Sequence, residues 1–317
     1  MSYNEAHLGR GGIKKMPSYA YFHKQFVPLD EAKIEIMTHA FHYGTAIFEG
    51  IRGNWNREQQ QSYIFRLKEH YQRMQNGCRI MKINLPYTID ELCQITIEMV
   101  RRCNFQEDIY IRPLAYKSAK ALGVRLHDLE DDFLVFAMPW GRYLDVDKAR
   151  CTVSSWRRPP ETPQAKISGL YINNALAKTE AIERGYDEAI MLTADGHVSE
   201  GTGENIFLVI AGKIVTPPIS DTFLMGITRD AIIKLAQKEL GVETIERRIC
   251  RSELYTAEEC FLTGTAAHLT PVAEVDNYTI GNGEIGEITG KLQKLYSEVI
   301  RGRNPDYLDW CTPAYKT

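Results

Sequence analysis

Two different spacings of apolar residues predict the secondary structure of the first half of the chain. Aromatic and β-branched residues cluster or alternate in short runs, which indicates strands rather than helices. The predicted strands are 19–27, 32–37, 62–65, 109–116 and 133–138. Residues 38–52 are crowded with aromatics and glycines, a composition that predicts a pocket wall better than a regular element.

Apolar residues recur every three or four positions in two segments after residue 66, and this spacing predicts two amphipathic helices. The second helix begins at Thr88, because Thr88 and Glu91 have the spacing of a capping box, and it extends to about Cys103. One face of the first helix is formed by Leu67, Tyr71, Met74 and Cys78.

The second half of the chain alternates short apolar runs with helical spacings. Its predicted strands are 151–155, 189–192, 206–210, 213–216 and 260–263, with turns at 195–196 and 211–212. Its predicted helices are 173–184, 228–240 and 287–301. Gly185 and Gly241 end the first two of these helices.

This order of strands and helices predicts an α+β, mixed fold with two domains. We expect a smaller N-terminal α/β domain at residues 1–138, with a loose arm at 1–17. A linker at 139–148 would lead into a larger C-terminal domain at 149–317. A chain of 317 residues is long enough to bury a core in each.

Composition and charge exclude several classes of protein. The chain is 44% hydrophobic and 25% charged, as in ordinary globular proteins. A formal net charge of -3 argues against nucleic acid as a partner, and no apolar run reaches the roughly 20 residues of a membrane span. Seven cysteines without a C-x-x-C pair favour reduced thiols and a cytoplasmic location. His39 and His42 lack a third ligand at recognisable spacing, so we expect packed histidines and no metal.

A candidate for covalent chemistry lies between residues 164 and 207. Lys166 stands among small and apolar residues, with Tyr171 nearby and Glu200 in a glycine-rich turn. A lysine in an apolar pocket can lose its proton near neutral pH and form an imine with a carbonyl. The carbonyl most often captured in this way is that of pyridoxal phosphate (PLP), which also needs a carboxylate beside its ring nitrogen. A solvated loop lysine is the alternative that this spacing leaves open.

Three further places have the chemistry to hold anions. Ile227 and Thr228 begin a predicted helix, whose free N–H groups attract negative charge, and small residues at 264–267 follow a strand. Tyr110 and Arg112 lie on one face of a strand, where a phenol and a guanidinium can bind a carboxylate. An ordinary helix cap, a tight turn and a solvent-facing pair are the respective alternatives.

These parts occur in an order that resembles one family, the branched-chain amino-acid aminotransferases of PLP fold type IV. The resemblance implies their two-domain, D-amino-acid aminotransferase-like fold and PLP as cofactor. It further implies transamination of leucine, isoleucine and valine with 2-oxoglutarate, giving branched 2-oxo acids and glutamate, in a homodimer or a dimer-based hexamer. The matching segments are 39–52, 110–114, 139–141, 154–157, 165–166, 199–205, 226–230 and 264–267.

The resemblance also implies roles for individual residues. Lys166 would form the imine and move the substrate proton, Glu200 would contact the pyridine nitrogen, and Tyr171 would contact the ring hydroxyl. The cofactor phosphate would be held by Arg66, Ile227, Thr228 and Thr265. The substrate carboxylate would be bound by Tyr110, Arg112 and the backbone at Ala266. The apolar substrate pocket would be walled by Tyr43, Phe48, Trp140 and Tyr143.

The chain departs from the family pattern beside the lysine, and other functions stay open. The loop at 157–165 is shorter than in typical members, and Leu170 replaces the usual asparagine. Sibling activities are those of D-amino-acid or (R)-amine transaminases and of aminodeoxychorismate lyase. A non-catalytic binding protein would need Lys166 or Glu200 to be unsuited to chemistry. A hydrolase using Ser199 is disfavoured, because the G-x-S-x-G elbow is missing.

Overall fold

A computed structural model describes residues 18–141, 144 and 146–315. The arm expected at residues 1–17, and Tyr143, lie outside this range. The strands are β1 Tyr19–Phe22, β2 Gln25–Pro28, β3 Ala46–Phe48, β4 Ile51–Asn56, β5 Gln61–Phe65, β6 Ile109–Lys117, β7 Asp131–Pro139, β8 Ala149–Val153, β9 Glu188–Leu192, β10 Val198–Gly201, β11 Asn205–Ile210, β12 Lys213–Thr216, β13 Thr244–Glu246, β14 Glu259–Gly264, β15 His268–Val275, β16 Tyr278–Thr279 and β17 Cys311–Pro313. The α-helices are α1 His39–Tyr43, α2 Leu67–Ile80, α3 Ile89–Cys103, α4 Tyr171–Glu183, α5 Ile227–Leu240 and α6 Glu287–Ile300.

The described strands form two sheets. The first has the order β17-β5-β4-β6-β7-β1-β2, with β3 paired to β6. The second has the order β10-β9-β8-β15-β14-β11-β12-β13, and β16 pairs with β15. Glu200 in β10 also pairs with Asn205 in β11. Because β10 and β11 stand far apart in this strand order, their pairing closes the strands from β10 to β11 into a barrel. Glu200 therefore lies at the closure of the barrel.

Each sheet has its own apolar core, and helices cover both. Helices α2 and α3 pack on the first sheet around Tyr71, Met99 and Ile111. A second cluster fills the barrel, and a third joins its outer face to α5 and α6. The third cluster includes Phe65 of β5 and Cys311 of β17, so the end of the chain returns to the first sheet. The domain bounds 1–138, 139–148 and 149–317 stay a prediction.

The helices with a strong apolar periodicity were predicted well, because the apolar face visible in the sequence is the face that packs on a sheet. The capping box of α3 is confirmed, since Glu91 N donates to Thr88 Oγ1 at 3.2 Å and Thr88 N donates to Glu91 Oε2 at 2.7 Å. Gly241 ends α5 with a left-handed φ of 64°. Helix α4 begins at Tyr171 rather than at residue 173, so the tyrosine lies in its first turn.

Three predictions in the first 60 residues were wrong. Residues 19–27 form a hairpin instead of one strand, because His23 and Lys24 both have positive φ and make a two-residue turn. Residues 32–37 form no strand, since this exposed segment has no strand beside it to complete a ladder. Residues 38–52 are more regular than expected, because they contain α1, β3 and the start of β4. Within the described residues, every helix is too short or too polar to cross a membrane.

Candidate active site

The segment that carries Lys166 is held between the two sheets. Phe48 N donates to the carbonyl oxygen of Lys166 at 3.0 Å, and Ile47 forms a β-bridge with Ile167. Gly169 N donates to the carbonyl oxygen of Gly44 at 3.1 Å. A Cβ at Gly44 would lie 2.6 Å from the Cα of Gly169, so a glycine is needed for this approach. The lysine is thereby fixed against the end of β3.

The side chain of Lys166 lies in an aromatic environment. Its Nζ donates to the hydroxyl of Tyr171 at 2.6 Å and lies 4.7 Å from the ring centres of both Phe48 and Tyr171. Burial, and then the positive charge of Arg73, lower the pKa of Lys166 from 10.5 to about 8. Burial raises the pKa of Tyr171, so its hydroxyl keeps its proton. The amine is thus prepared for nucleophilic chemistry near neutral pH.

The lowered pKa of Lys166 predicts a measurable pH dependence. In the protein without added ligands, we expect the Lys166 amine to react with an acylating reagent about tenfold faster per pH unit below pH 8, and to level off above it. Peptide mass mapping of the labelled protein between pH 6 and 11 measures this rate. The unfolded chain binds more protons at this site between about pH 8 and 10.5, so the contribution of Lys166 to the free energy of unfolding rises with pH there. A labelling rate that levels off only near pH 10.5 would contradict a lowered pKa for Lys166.

Glu200 is buried and has a hydrogen-bond partner on each carboxylate oxygen. Arg158 Nη1 donates to Glu200 Oε1 at 2.6 Å, and Leu224 N donates to Oε2 at 3.1 Å. Burial alone would lower the pKa of the Arg158 guanidinium. The nearby negative charges, that of Glu200 first, outweigh burial and raise this pKa. Sequence reasoning missed Arg158, whose only signal was the pair of arginines at 157 and 158.

A second charged cluster connects the first sheet to the barrel. Arg73 of α2 donates from Nε and Nη2 to the two oxygens of Glu49, both at 2.7 Å, and from Nη1 to the carbonyl oxygen of Met225 at 2.7 Å. Glu49 also bonds with His70 Nδ1 at 2.7 Å. Burial alone would raise the pKa of Glu49, but Arg73 and His70 lower it to about 2. Sequence reasoning also missed Arg73. The feature that could have indicated it is a charged residue beside the apolar face of α2.

One cavity, of about 590 Å³ with the solvent space at its mouth included, brings together most of the residues predicted from the sequence. Arg73, Asn174, Thr202 and Glu204, which were not predicted, also line it. Burial, and then the charge of Glu188, raise the pKa of Glu204. The predicted residues in the cavity wall are Tyr110, Lys166, Tyr171, Glu200, Ile227, Thr228, Thr265 and Ala266.

The remaining predicted residues lie behind or beside this wall. Arg112 Nη2 donates to the hydroxyl of Tyr110 at 2.9 Å, and its guanidinium lies 4.8 Å from the ring centre of Phe48. The Trp140 ring lies 5.4 Å from that of Tyr110. Tyr43 is 37% exposed, and its hydroxyl accepts from Gly123 N at 3.0 Å.

Arg66 lies beside the first turn of α5 rather than in the wall of the cavity. Its Nη2 donates to Asp230 Oδ2 at 3.1 Å, and its guanidinium stacks 4.9 Å from the ring centre of Trp310. Its buried Nη1 has no hydrogen-bond partner among the described residues. The structure therefore places Arg66 near the predicted anion site but brings Arg73 into the cavity.

The two histidines that suggested a metal have other partners. His39 bonds with Thr45 Oγ1 at 2.8 Å and with the carbonyl oxygen of Gly123 at 2.9 Å. His42 bonds with the carbonyl oxygen of Ile36 at 2.7 Å. In the part of the chain that the structure describes, no group of three or more metal-binding side chains occurs.

This chain belongs to the amino-transferase class IV family, whose profile matches residues 46–275. It is 51% identical over 301 residues to a probable branched-chain-amino-acid aminotransferase of Aquifex aeolicus, which covers 94% of this chain and 97% of the relative. It superposes with a TM-score of 0.89 on the branched-chain aminotransferase of Thermoproteus uzoniensis with norvaline, at 41% identity, with 94% and 100% coverage of the two chains. The branched-chain amino acid aminotransferase of Thermobaculum terrenum in its PLP form gives 0.91 at 37% identity, with 96% and 100% coverage. The predicted fold class is confirmed.

Proposed function

We propose that this protein is a PLP-dependent branched-chain-amino-acid aminotransferase. It transfers the amino group of leucine, isoleucine or valine to 2-oxoglutarate and gives branched 2-oxo acids and glutamate. The observation that carries this proposal is the meeting of Lys166, Tyr171 and Glu200 in one cavity, within a chain that resembles enzymes of this activity over nearly its full length.

The donors and acceptors of the cavity fit PLP. When bound, PLP supplies an aldehyde and an electron-withdrawing ring. The amine of Lys166, whose pKa is lowered, would hold the cofactor through its aldehyde carbon with release of water, and its Nζ, 2.6 Å from the hydroxyl of Tyr171, would carry a proton during turnover. Glu200, buried in the wall, would hold a proton at the ring nitrogen. Tyr171 would donate its hydroxyl proton toward the ring oxygen.

The phosphate site is proposed at the start of α5. The free N–H groups of Ile227 and Thr228 attract an anion there, and the turn at Thr265 faces the same cavity. Arg73 lines this cavity, so we propose it as a further phosphate ligand beside Arg66, the arginine that the family resemblance implied for this role. Arg66, whose buried Nη1 has no partner in the described structure, would add positive charge beside the first turn of α5, outside the cavity wall.

The substrate carboxylate and side chain are proposed to meet different groups. Tyr110 and Arg112 lie on the same face of β6, and the Nε of Arg112 is buried with no partner among the described residues, which favours a carboxylate there. Phe48 and Trp140 pack on Tyr171 and Tyr110 and offer apolar surface, where each buried methylene contributes about 0.8 kcal/mol. Tyr43 and Tyr143 stay proposals for this pocket.

Initial rates with a panel of amino donors test the substrate assignment. With 2-oxoglutarate as acceptor, we expect kcat/KM for L-leucine, L-isoleucine and L-valine to exceed that for D-alanine or an (R)-aryl amine by at least about 100-fold. Formation of glutamate is the readout. Preference for D-alanine or the aryl amine would instead assign a sibling activity of the same fold.

We also propose that two copies of this chain associate in the cytoplasm. An apolar patch, here called the α1 patch, is exposed beside α1 and is formed by Ile36, Phe41, Tyr43, Leu122 and Val124. Val124 is 91% exposed and Phe41 is 72% exposed. Contiguous apolar surface of this kind is typical of association sites. A dimer would bring Tyr43 next to the partner, and a hexamer would be built from such dimers.

Introducing charge into the α1 patch is expected to weaken this association. Phe41→Glu places a carboxylate where apolar surface would be buried, so we expect a shift from dimer to monomer at micromolar concentration. Size-exclusion chromatography with light scattering measures the mass. Ile285→Glu is the matched control, because Ile285 is an exposed isoleucine away from the patch. A wild-type monomer, or a Phe41→Glu protein that stays dimeric, would contradict the proposal.

A further inference from the structure

The guanidinium of Arg158 connects the two residues on which the proposed chemistry depends. It is 4% exposed, and its Nη1 donates to Glu200 Oε1 at 2.6 Å. Its Nη2 donates to the carbonyl oxygens of Pro163 and Ala165, both at 3.4 Å. Ala165 directly precedes Lys166. One planar group thus holds the carboxylate of the barrel and the backbone beside the lysine.

The loop that carries Arg158 is itself anchored at two points. Asn173 of α4 donates from Nδ2 to the carbonyl oxygen of Arg157 at 2.7 Å, and Trp156 N donates to Ser154 Oγ at 3.1 Å. These bonds fix the backbone on either side of residue 157. The position of the Arg158 guanidinium therefore follows from the segment directly after β8 and from α4, and not from Glu200 alone.

The carboxylate of Glu200 is oriented from two directions. Arg158 holds Oε1, while Leu224 N, from the loop before α5, holds Oε2. A carboxylate has about four lone-pair sites, so each oxygen keeps one free for a ligand in the cavity that Glu200 lines. Loss of either partner would let the carboxylate rotate.

We propose that Arg158 is a positioning residue that sets the placement of Glu200 relative to Lys166. The proposal rests on the function proposed above. Arginine suits this role because its planar fork reaches several acceptors at once and its charge is permanent. Lysine would keep the charge but supply a compact point donor, so it would hold Glu200 without holding the backbone at Ala165. Arg158 also acts at Tyr171, where its charge opposes the rise in pKa that burial causes.

The test compares Arg158→Gln and Arg158→Lys with Arg157→Gln. Arg157 is the matched control, because among the described residues its side chain donates only to the carbonyl oxygens of Ser154 and Trp156. The dissociation constant of PLP is measured by absorbance titration of apoprotein, and kcat and KM for leucine are measured on the loaded enzyme. We expect Arg158→Gln to weaken PLP binding by about 10- to 100-fold, the effect of losing charge-assisted hydrogen bonds. We expect its kcat to fall more than its KM rises, and Arg158→Lys to recover part of both losses.

Failure of the positioning role can be distinguished from failure of the proposed function. An Arg158→Gln protein that binds PLP and turns over leucine within twofold of wild type overturns the positioning role and leaves the proposed function intact. A wild-type protein that binds no PLP overturns both. Where Arg158→Gln does not fold, Arg158→Lys, which keeps a cation beside Glu200, decides alone. It must bind PLP more weakly than wild type and Arg157→Gln, and equality with them refutes the proposal.

Discussion

Replacing Lys166 with alanine is expected to reduce the rate of transamination by at least about 1000-fold, to the limit of detection. The variant loses the amine that attacks the cofactor carbonyl and the base that carries the substrate proton. The protein should stay folded, because a lysine whose pKa is lowered by burial contributes little to stability when charged. Glutamate formation from leucine and 2-oxoglutarate, together with a thermal melt, measures both effects.

Lys213→Ala is the control for the Lys166 variant. Lys213 is half exposed and pairs with Glu243 at the surface, so its loss should change the rate by less than twofold. A Lys166→Ala protein with the melting temperature of wild type and a substantial rate would refute the assignment of the nucleophile. A variant that unfolds would instead show that the amine stabilises the segment between the sheets.

Replacing Glu200 with glutamine is expected to lower kcat by about 100-fold or more and to destabilise the fold. The amide cannot hold a proton at the ring nitrogen as a carboxylate does, which removes electrostatic stabilisation from the reaction. It also leaves the buried charge of Arg158 unpaired, and removing one partner of a buried pair costs about 3–5 kcal/mol. Steady-state kinetics and denaturant unfolding measure the two losses separately.

A double variant distinguishes these two consequences. Glu200→Gln combined with Arg158→Gln removes both charges, so stability should return toward wild type while kcat stays low. A double variant that recovers activity as well would show that charge balance, and not the carboxylate, is what the site requires. Retention of more than about a tenth of wild-type kcat by Glu200→Gln alone would show that the carboxylate is not required.

Much of the fold follows from local sequence patterns, and the errors have physical causes. Helices α2, α3, α5 and α6 could be predicted because each has one continuous apolar face that packs on a sheet. Strand β17 could not, because its three residues are ordered by pairing with β5, nearly 250 positions away in the chain. The hairpin turn at His23 and Lys24 was missed because it contains none of the Asn-Gly, Asp-Gly or Gly-Gly pairs that signal a two-residue turn with positive φ.

The site shows the same division between local and long-range information. Lys166, Glu200 and the first turn of α5 could be found because each lies in a short motif with its own chemistry. Arg73 and Arg158 could not, since their importance comes from partners that are distant in sequence, Met225 and Glu200. Arg66 was assigned to the phosphate through the family resemblance, whereas the place of Arg73 in the cavity wall follows from how the middle of α2 packs.

The visible absorption spectrum of the purified protein, recorded with PLP before and after addition of L-leucine, tests the central claim most directly. We expect a yellow protein whose visible band fades with leucine and returns with 2-oxoglutarate, which would show cofactor, amino donor and amino acceptor in one experiment. A yellow band that leucine leaves unchanged would contradict the substrate assignment. A protein that PLP cannot turn yellow would contradict the role of Lys166 itself.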